Sequence, residues 1–262
     1  RIYPVETDAR RQYGGELVFD NLTVKEPLSA PPLPPVGGGE SKLWTAGSLS
    51  ADRWRFAVLS GQSISADEPE QALEGVKRQL QEALKAGPEF LLIGRGFTAT
   101  YSERDLSLAR QVITEQVGDR VPVLWLGGDQ RVVDVQSTRF VLLDTLTGAL
   151  HTAGFDQWLS LRDALDQAAA DPAVRQVVVV GDRTPARLGD YREGQMLQQW
   201  LTEFGAASGK PVAYLAAPGG GLGARWTEGV PYLESLTTGG LTLFGIADSP
   251  AAGEPWIMGT TN

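Results

Sequence analysis

Glycine and serine, rather than histidine or cysteine, stand where chemistry is to be sought in this sequence. Five stretches each follow a run that reads as a strand: LSGQS (59–63), IGRGF (93–97), LGGDQR (126–131), VGDRTP (180–185) and AAPGGGLGARW (216–226). Loops after strands are where α/β proteins bind ligands. Glycine in such a loop signals either close approach by a ligand or ordinary turn chemistry. One such loop alone reads as a turn; five at strand exits suggest a shared cleft. None carries GxxxxGK(S/T), and none has GxGxxG opening a helix. GRGFTAT has the glycines but precedes its helix cap, Ser102, by a loop. A G-x-S-x-G nucleophile elbow is absent too, so Ser60 and Ser63 lack that setting. His151, the single histidine, lies in GALHTAGFDQW outside the five loops and reads as a surface or turn residue.

Composition narrows the classes further. One histidine and no cysteine exclude multi-histidine metal sites, thiolate sites and disulfides. A net charge of −9 argues against a general nucleic-acid binder, which needs a basic face. No stretch approaches the roughly 20 apolar residues of a membrane span. No signal-peptide pattern follows Arg1, which leads us to expect a mature or trimmed chain.

The elements that must position the loops are readable from hydrophobic spacing. In residues 1–26, Leu17, Phe19, Leu22 and Val24 nearly alternate with polar residues, a half-buried strand with a slip at Asp20-Asn21. A lone strand is unstable, so this one belongs to a preceding β-domain or to the edge of the main sheet. Residues 27–42 read as a linker, proline-rich then glycine-rich; a proline-ligand motif is the sharper alternative. Residues 43–262 form the main domain. WRFAVLSG is a strand, and DEPEQALEGVKRQLQEALKAG a helix with Leu73, Val76, Leu80 and Leu84 on one face, Asp67 as cap and Gly87 as stop. EFLLIG, VPVLWLG, RFVLLDT, QVVVVG and PVAYLAA are strands. Helices fall at SERDLSLARQVITEQVG (cap Ser102, stop Gly118), FDQWLSLRDALDQAAA and YREGQMLQQWLTEFG. VPYLESLTTGGLTLFGIA reads as a hairpin about Thr238-Gly239-Gly240. The alternation predicts an α/β fold with layered mixed β-sheets flanked by helices.

The phrases WRFAVLSG, PEFLLIGRGF, VPVLWLGGDQ, RFVLLDT, AGFDQWLSLRDAL, QVVVVGDRTP and GVPYL, in this order, resemble the calcineurin-like metallophosphoesterases. The nearer likeness is to secreted bacterial members with an upstream β-sandwich, in which RIYPVE…GGELVFDNLTV would close that sandwich. The resemblance implies an extracellular location and a dinuclear metal site. At its ligand positions this sequence departs from the pattern. Gly61 and Ser63 stand where the first Asp-x-His (or Gln) falls, and Gly96 where the bridging aspartate falls. Asp129 and Gln130 replace the Asn-His of the third motif, Asp182 a later histidine, and Pro218 and Gly223 the last pair.

Two divalent ions about 4 Å apart repel, and the family balances them with a bridging carboxylate and imidazoles. Without these, Asp129 and Asp182 favour at most one weakly bound divalent cation, or act as solvated loop carboxylates. Arg95, Arg131, Arg183 and Arg225 lie in the same loops; converging, they would bind an anion by forked hydrogen bonds, or else pair with the two aspartates. The leading expectation is a metallophosphoesterase-fold domain without its reaction or cofactor, binding a small molecule or protein. It would be a natural pseudoenzyme or an engineered scaffold. The alternatives are a weak phosphoesterase using one ion at Asp129 and Asp182, and a redesigned scaffold whose emptied pocket is lined by Trp125, Trp226 and Tyr232.

Overall fold

Long apolar runs such as QVVVVG imply strands covered on both faces, and the computed structural model shows why. It describes residues 40–43, 49, 51–67, 70–126, 131–145, 150–151, 155–217, 223–235, 240–250 and 254–261, with backbone alone at 40–43, 70–72 and 261. The expected strand segment 1–26 and the linker up to residue 39 lie outside them. The strands are β1 (Glu40–Leu43), β2 (Trp54–Ser60), β3 (Leu91–Ile93), β4 (Val123–Trp125), β5 (Val132–Val135), β6 (Thr138–Leu142), β7 (Gln176–Gly181), β8 (Val212–Ala216), β9 (Gly223–Thr227), β10 (Val230–Glu234), β11 (Gly240–Ile246) and β12 (Ile257–Thr261). The helices are α1 (Glu70–Lys85), α2 (Glu103–Gln116), α3 (Asp156–Ala170) and α4 (Tyr191–Ser208).

Two mixed sheets result, in the orders β1-β9-β10-β8-β7-β6-β5 and β12-β11-β2-β3-β4. Their centres are parallel: β10, β8, β7 and β6 in one, β2, β3 and β4 in the other. The sheets pack face to face. Val178 and Val180 of β7 meet Phe56 and Val58 of β2 in this inner layer, while Val177 and Val179 point outward to α3 and α4. Ala57 and Leu59 point to α1 and α2. Four phenylalanines fix the inner layer: Phe56 stacks on Phe90 (5.0 Å) and Phe244 (5.2 Å), and Phe140 meets Phe56 edge-on (5.3 Å) from the other sheet. The layers therefore run α/β/β/α, the layered α/β class expected. Among the described residues no helix is long and apolar enough to cross a membrane.

Several local expectations change. The last linker residues, Glu40 to Lys42, are strand, paired antiparallel with β9. The hairpin about Thr238-Gly239-Gly240 does not form. β10 pairs with β8 and β9, whereas β11 pairs with β2 and β12, so the chain crosses from one sheet to the other between them. A parallel ladder to β8 and a seven-residue ladder to β2 outweigh the local turn signal. The hairpins that do form are β5–β6 about Gln136 and β9–β10 about Glu228-Gly229, where both residues have positive φ (49° and 82°). α1 begins after Asp67, whose carboxylate accepts instead from Arg104 Nη1 at 2.6 Å. Ser102 does cap α2, accepting from the Asp105 N–H.

Candidate functional site

The carboxyl ends of the parallel strands of both sheets meet at one edge of the molecule. β2 runs into Gly61 and Ser63, and β3 into Gly94-Arg95-Gly96. These two loops are joined backbone to backbone: Gly61 N donates to Arg95 O (3.0 Å), Ser63 N to Gly96 O (2.7 Å) and Ile64 N to Phe97 O (2.9 Å). Gly61 and Gly96 both have φ near +71°, and a Cβ on Gly96 would stand 3.3 Å from the Gly61 Cα. The other sheet closes on the same point. Arg95 N donates to Ala217 O (3.1 Å), and a Cβ on Gly94 would stand 2.7 Å from that oxygen. Glycine is required here for backbone contact, not for cradling a phosphate.

Across from these loops lie the ends of β6 and β7. Gly181 leads to Asp182, a carboxylate only 8% exposed. Burial first and then Asp144 raise its pKa to about 6, against the opposing pull of Arg95 and the Thr145 backbone. Thr145 Oγ1 accepts from Arg183 N (2.9 Å), and the Tyr214 hydroxyl donates to Arg183 O, so the turn after β7 is pinned from two sides. Burial, with Asp182 nearby, pushes the Tyr214 phenol far above its ordinary range. Asp144 is placed by α3: its N–H donates to Gln157 Oε1 (2.7 Å), and Gln157 Nε2 donates to the Asp144 carbonyl (3.0 Å).

Between the two groups of loops is a cavity of about 360 Å³ lined by Phe97, Tyr101, Trp125 and Leu126, with Asp144 and Asp182 among its polar walls. Phe97 and Trp125 meet edge to face at 5.8 Å. Asp105 shapes the rim, accepting from Ala66 N (2.8 Å) and Thr100 Oγ1 (2.5 Å) and so holding the turn that carries Tyr101. Burial and then Asp182 raise the Tyr101 pKa, while hydrogen bonds from Arg95 and the Gly96 N–H lower it.

The structure thus gathers Gly61, Ser63, Gly96, Arg95 and Asp182. Asp129, Gln130 and Pro218 lie outside the described residues. Gly223 begins β9, opposite Leu43 and Glu234, and does not line the cavity. Of the four arginines, Arg95 stands beside Asp182. Arg131 Nη1 donates to Gln157 Oε1 at 3.5 Å, Arg183 is fixed here through its backbone, and Arg225 sits in β9 between Ser41 and Tyr232. The aromatic trio separates as well. Trp125 lines the cavity, Trp226 packs on the layer between the sheets, and Tyr232 on the helix side of the seven-stranded sheet. His151 is bound to the buried Glu193 (Nδ1 to Oε1, 3.0 Å), which also accepts from Leu150 N and Trp158 Nε1. Asp144 and Tyr101 were missed; Asp144 ends RFVLLDT, and treating that strand exit like the other five would have found it.

The described residues of the site do not fit a dinuclear metal centre. A side chain at 96 would press on Gly61 at 3.3 Å, and the single imidazole is engaged by Glu193. Among the described residues no group of three or more His, Cys, Asp or Glu assembles.

No protein-family profile and no curated protein sequence matches the chain. Solved structures with a similar course include a dimetal phosphatase from Danio rerio, with 10% identity over 79% of this chain and 98% of that one, TM-score 0.46. A purple acid phosphatase from yellow lupin (Lupinus luteus) seeds has 11% identity over 84% of this chain and 55% of its own, TM-score 0.46. An amidase from Nesterenkonia sp. has 17% identity over 77% and 93%, TM-score 0.42.

Proposed function

We propose that this chain is a metallophosphoesterase-like domain that no longer hydrolyses phosphate esters and acts as a binding module through the cavity at Asp182. One observation carries the reading. At the two positions where the sequence resemblance places metal-holding side chains, Gly61 and Gly96 bring their backbones into contact. A water nucleophile at neutral pH needs a strongly held Lewis acid or a placed base. Asp144 and Asp182 are too few to hold two ions against their mutual repulsion. By the same resemblance the module works outside the cell, with a small molecule or a protein as its partner.

The Asp144–Asp182 pair favours a second reading, a residual phosphoesterase using one hard cation. One sample separates the two: dialysis against Mn²⁺, Zn²⁺ and Ca²⁺, metal content by mass spectrometry, and hydrolysis of bis(p-nitrophenyl) phosphate. The binding-module reading expects no turnover with any of the three. Turnover with one ion per chain supports the second reading, and two ions with turnover overturns both.

A further inference from the structure

Of the six large apolar side chains that stand exposed among the described residues, four belong to α3, α4 or the residue before α3: Phe155, Leu159, Tyr191 and Met196. The two helices run side by side in one direction, because each connects neighbouring parallel strands, β6 to β7 and β7 to β8. Trp158 of α3 meets Trp200 of α4 edge-on at 4.9 Å, which sets their relative height. Towards their carboxyl ends an open groove of about 560 Å³ lies between them, with Leu165, Trp200 and Phe204 in its walls. Arg162 and Asp166 of α3 line one rim and Glu203 of α4 the other. By their spacing of three and four, Leu159, Arg162 and Asp166 share one side of α3, and Met196, Trp200 and Glu203 one side of α4. Leu159 is 61% exposed on this face. One turn earlier Phe155 holds φ 69° at the N-cap with no side-chain cap bond, a costly conformation that leaves its ring in solvent. Stability of the single chain accounts for neither.

We infer that two copies of this chain pair through the outer face of α3 and α4. About a two-fold axis along the groove, α3 of each copy lies on α4 of the other. Leu159 then meets Met196 and Trp200 of the other copy, and the two grooves join into one apolar interior. Arg162 meets Glu203 of the other copy, and symmetry makes that contact twice. Arg162 is held in its own helix by an exposed Asp166 at 3.9 Å, a weak pair, and Glu203 accepts from the neutral amide of Gln199 at 2.7 Å. A guanidinium has donors enough for both carboxylates. A partner of a single sign would meet like charge at one rim or the other, so opposite charges on the two helices favour the chain itself. Helices of 15 and 18 residues, each about 10 Å across, give a footprint of roughly 500 Å² before the relief of side chains is counted. That lies at the lower end of what a specific interface buries on each partner and fits a dimer of micromolar Kd. The pairing does not depend on what the Asp182 cavity binds.

The test is sedimentation velocity with light scattering on the full chain, at concentrations from about 1 to 200 µM, which bracket a micromolar Kd. Wild type is expected to pass from monomer to dimer across that range. Leu159→Glu puts a charge into the apolar interior and is expected to raise Kd at least about tenfold. Arg162→Glu and Glu203→Arg each set like charges face to face and are expected to raise it by roughly the same factor. The double variant exchanges the two signs and is expected to return Kd to within about threefold of wild type. All three side chains are exposed, so each variant is expected to keep its fold, with a Tm within about 3 °C of wild type. A wild-type chain that stays monomeric at the highest concentration overturns the inference without any variant. A dimer that survives Leu159→Glu pairs through another face and overturns it as well. So does a double variant no tighter than either single one, because the two charges would then not face each other.

Discussion

Putting an aspartate back at position 96 asks whether the site is merely missing a ligand or has closed over the place where one stood. Gly96 has φ +71°, a region that costs a residue with a side chain roughly 1 kcal/mol, less for aspartate than for most. The new Cβ would stand 3.3 Å from the Gly61 Cα and 3.5 Å from its nitrogen, so the two loops must part by a few tenths of an ångström. The bonds Gly61 N to Arg95 O and Ser63 N to Gly96 O hold them together; weakening one costs about 1 kcal/mol more. The total is roughly 2–3 kcal/mol, which for a domain of this size lowers Tm by about 4–12 °C. Gly96→Ala carries the same contact and a backbone cost at least as large, without the carboxylate, and serves as its control. Both variants are expected to melt lower by that amount in a thermal scan, and Mn²⁺ is not expected to restore Gly96→Asp. A metal held by the new carboxylate would stabilise the fold by mass action. A Gly96→Asp protein that melts like wild type, or that Mn²⁺ raises selectively over Gly96→Ala, would refute the closed-loop argument.

Asp182 predicts a pH effect of unusual sign. An acid whose ordinary pKa of 3.8 is held at about 6 in the fold binds more protons folded than unfolded between those values. Its cost is absent below about 3.8, grows as pH rises through that window, and is complete above about 6, up to roughly 3 kcal/mol. Asp182→Asn is therefore expected to melt higher than wild type at neutral pH and to lose the advantage near pH 4 in melting curves taken across the range; the opposite trend would contradict the placement of Asp182. At Gly181, an added Cβ would stand 2.1 Å from the Tyr214 hydroxyl and 3.0 Å from Thr145. Gly181→Ala is expected to cost about 1–3 kcal/mol in denaturant titration. Adding Tyr214→Phe should recover part of that loss as a coupling in the double-mutant cycle; strict additivity would mean the contact is not the cause.

What the sequence revealed followed from how much each segment buries. QVVVVG, EFLLIG and PVAYLAA are apolar throughout because both sheet faces are covered, and the face of α1 carrying Val76 and Leu80 is buried against the five-stranded sheet. The Ser102 cap is a local hydrogen bond and needs only neighbouring residues. β5 and β9 escaped notice because they alternate weakly and are half exposed. Both belong to local hairpins, β5 with β6 and β9 with β10, whose turns at Gln136-Ser137 and Glu228-Gly229 lack the Asn-Gly or Gly-Gly signal; β9 also lies against β1, far away in the chain. The supposed hairpin failed because two strong non-local ladders claimed its arms. At the site, Asp182 was found by its loop, but its partner Asp144 was not. What joins them is the lateral pairing of β6 with β7, a fact of topology rather than spacing.

The contrast between the two halves of the strand-end edge carries the functional argument one step further. On the side of Gly61 and Gly96, apart from Ser63 at φ 54°, the local choices agree with stability: glycine at positive φ, backbone groups paired, loops in contact. On the side of Asp144 and Asp182 the choices conflict, with two acids near each other and one of them almost wholly buried. Asparagine at 182 would keep the shape and relieve the repulsion, and the Thr145 backbone would remain as a hydrogen-bonding neighbour. Sequences that satisfy local rules elsewhere break them chiefly where something other than stability is served. A dinuclear centre would explain two acids, but the joined loops opposite leave it without its other ligands. The cavity between the halves, with its aromatic walls and Asp182 among them, puts that conflict where a bound molecule would meet it.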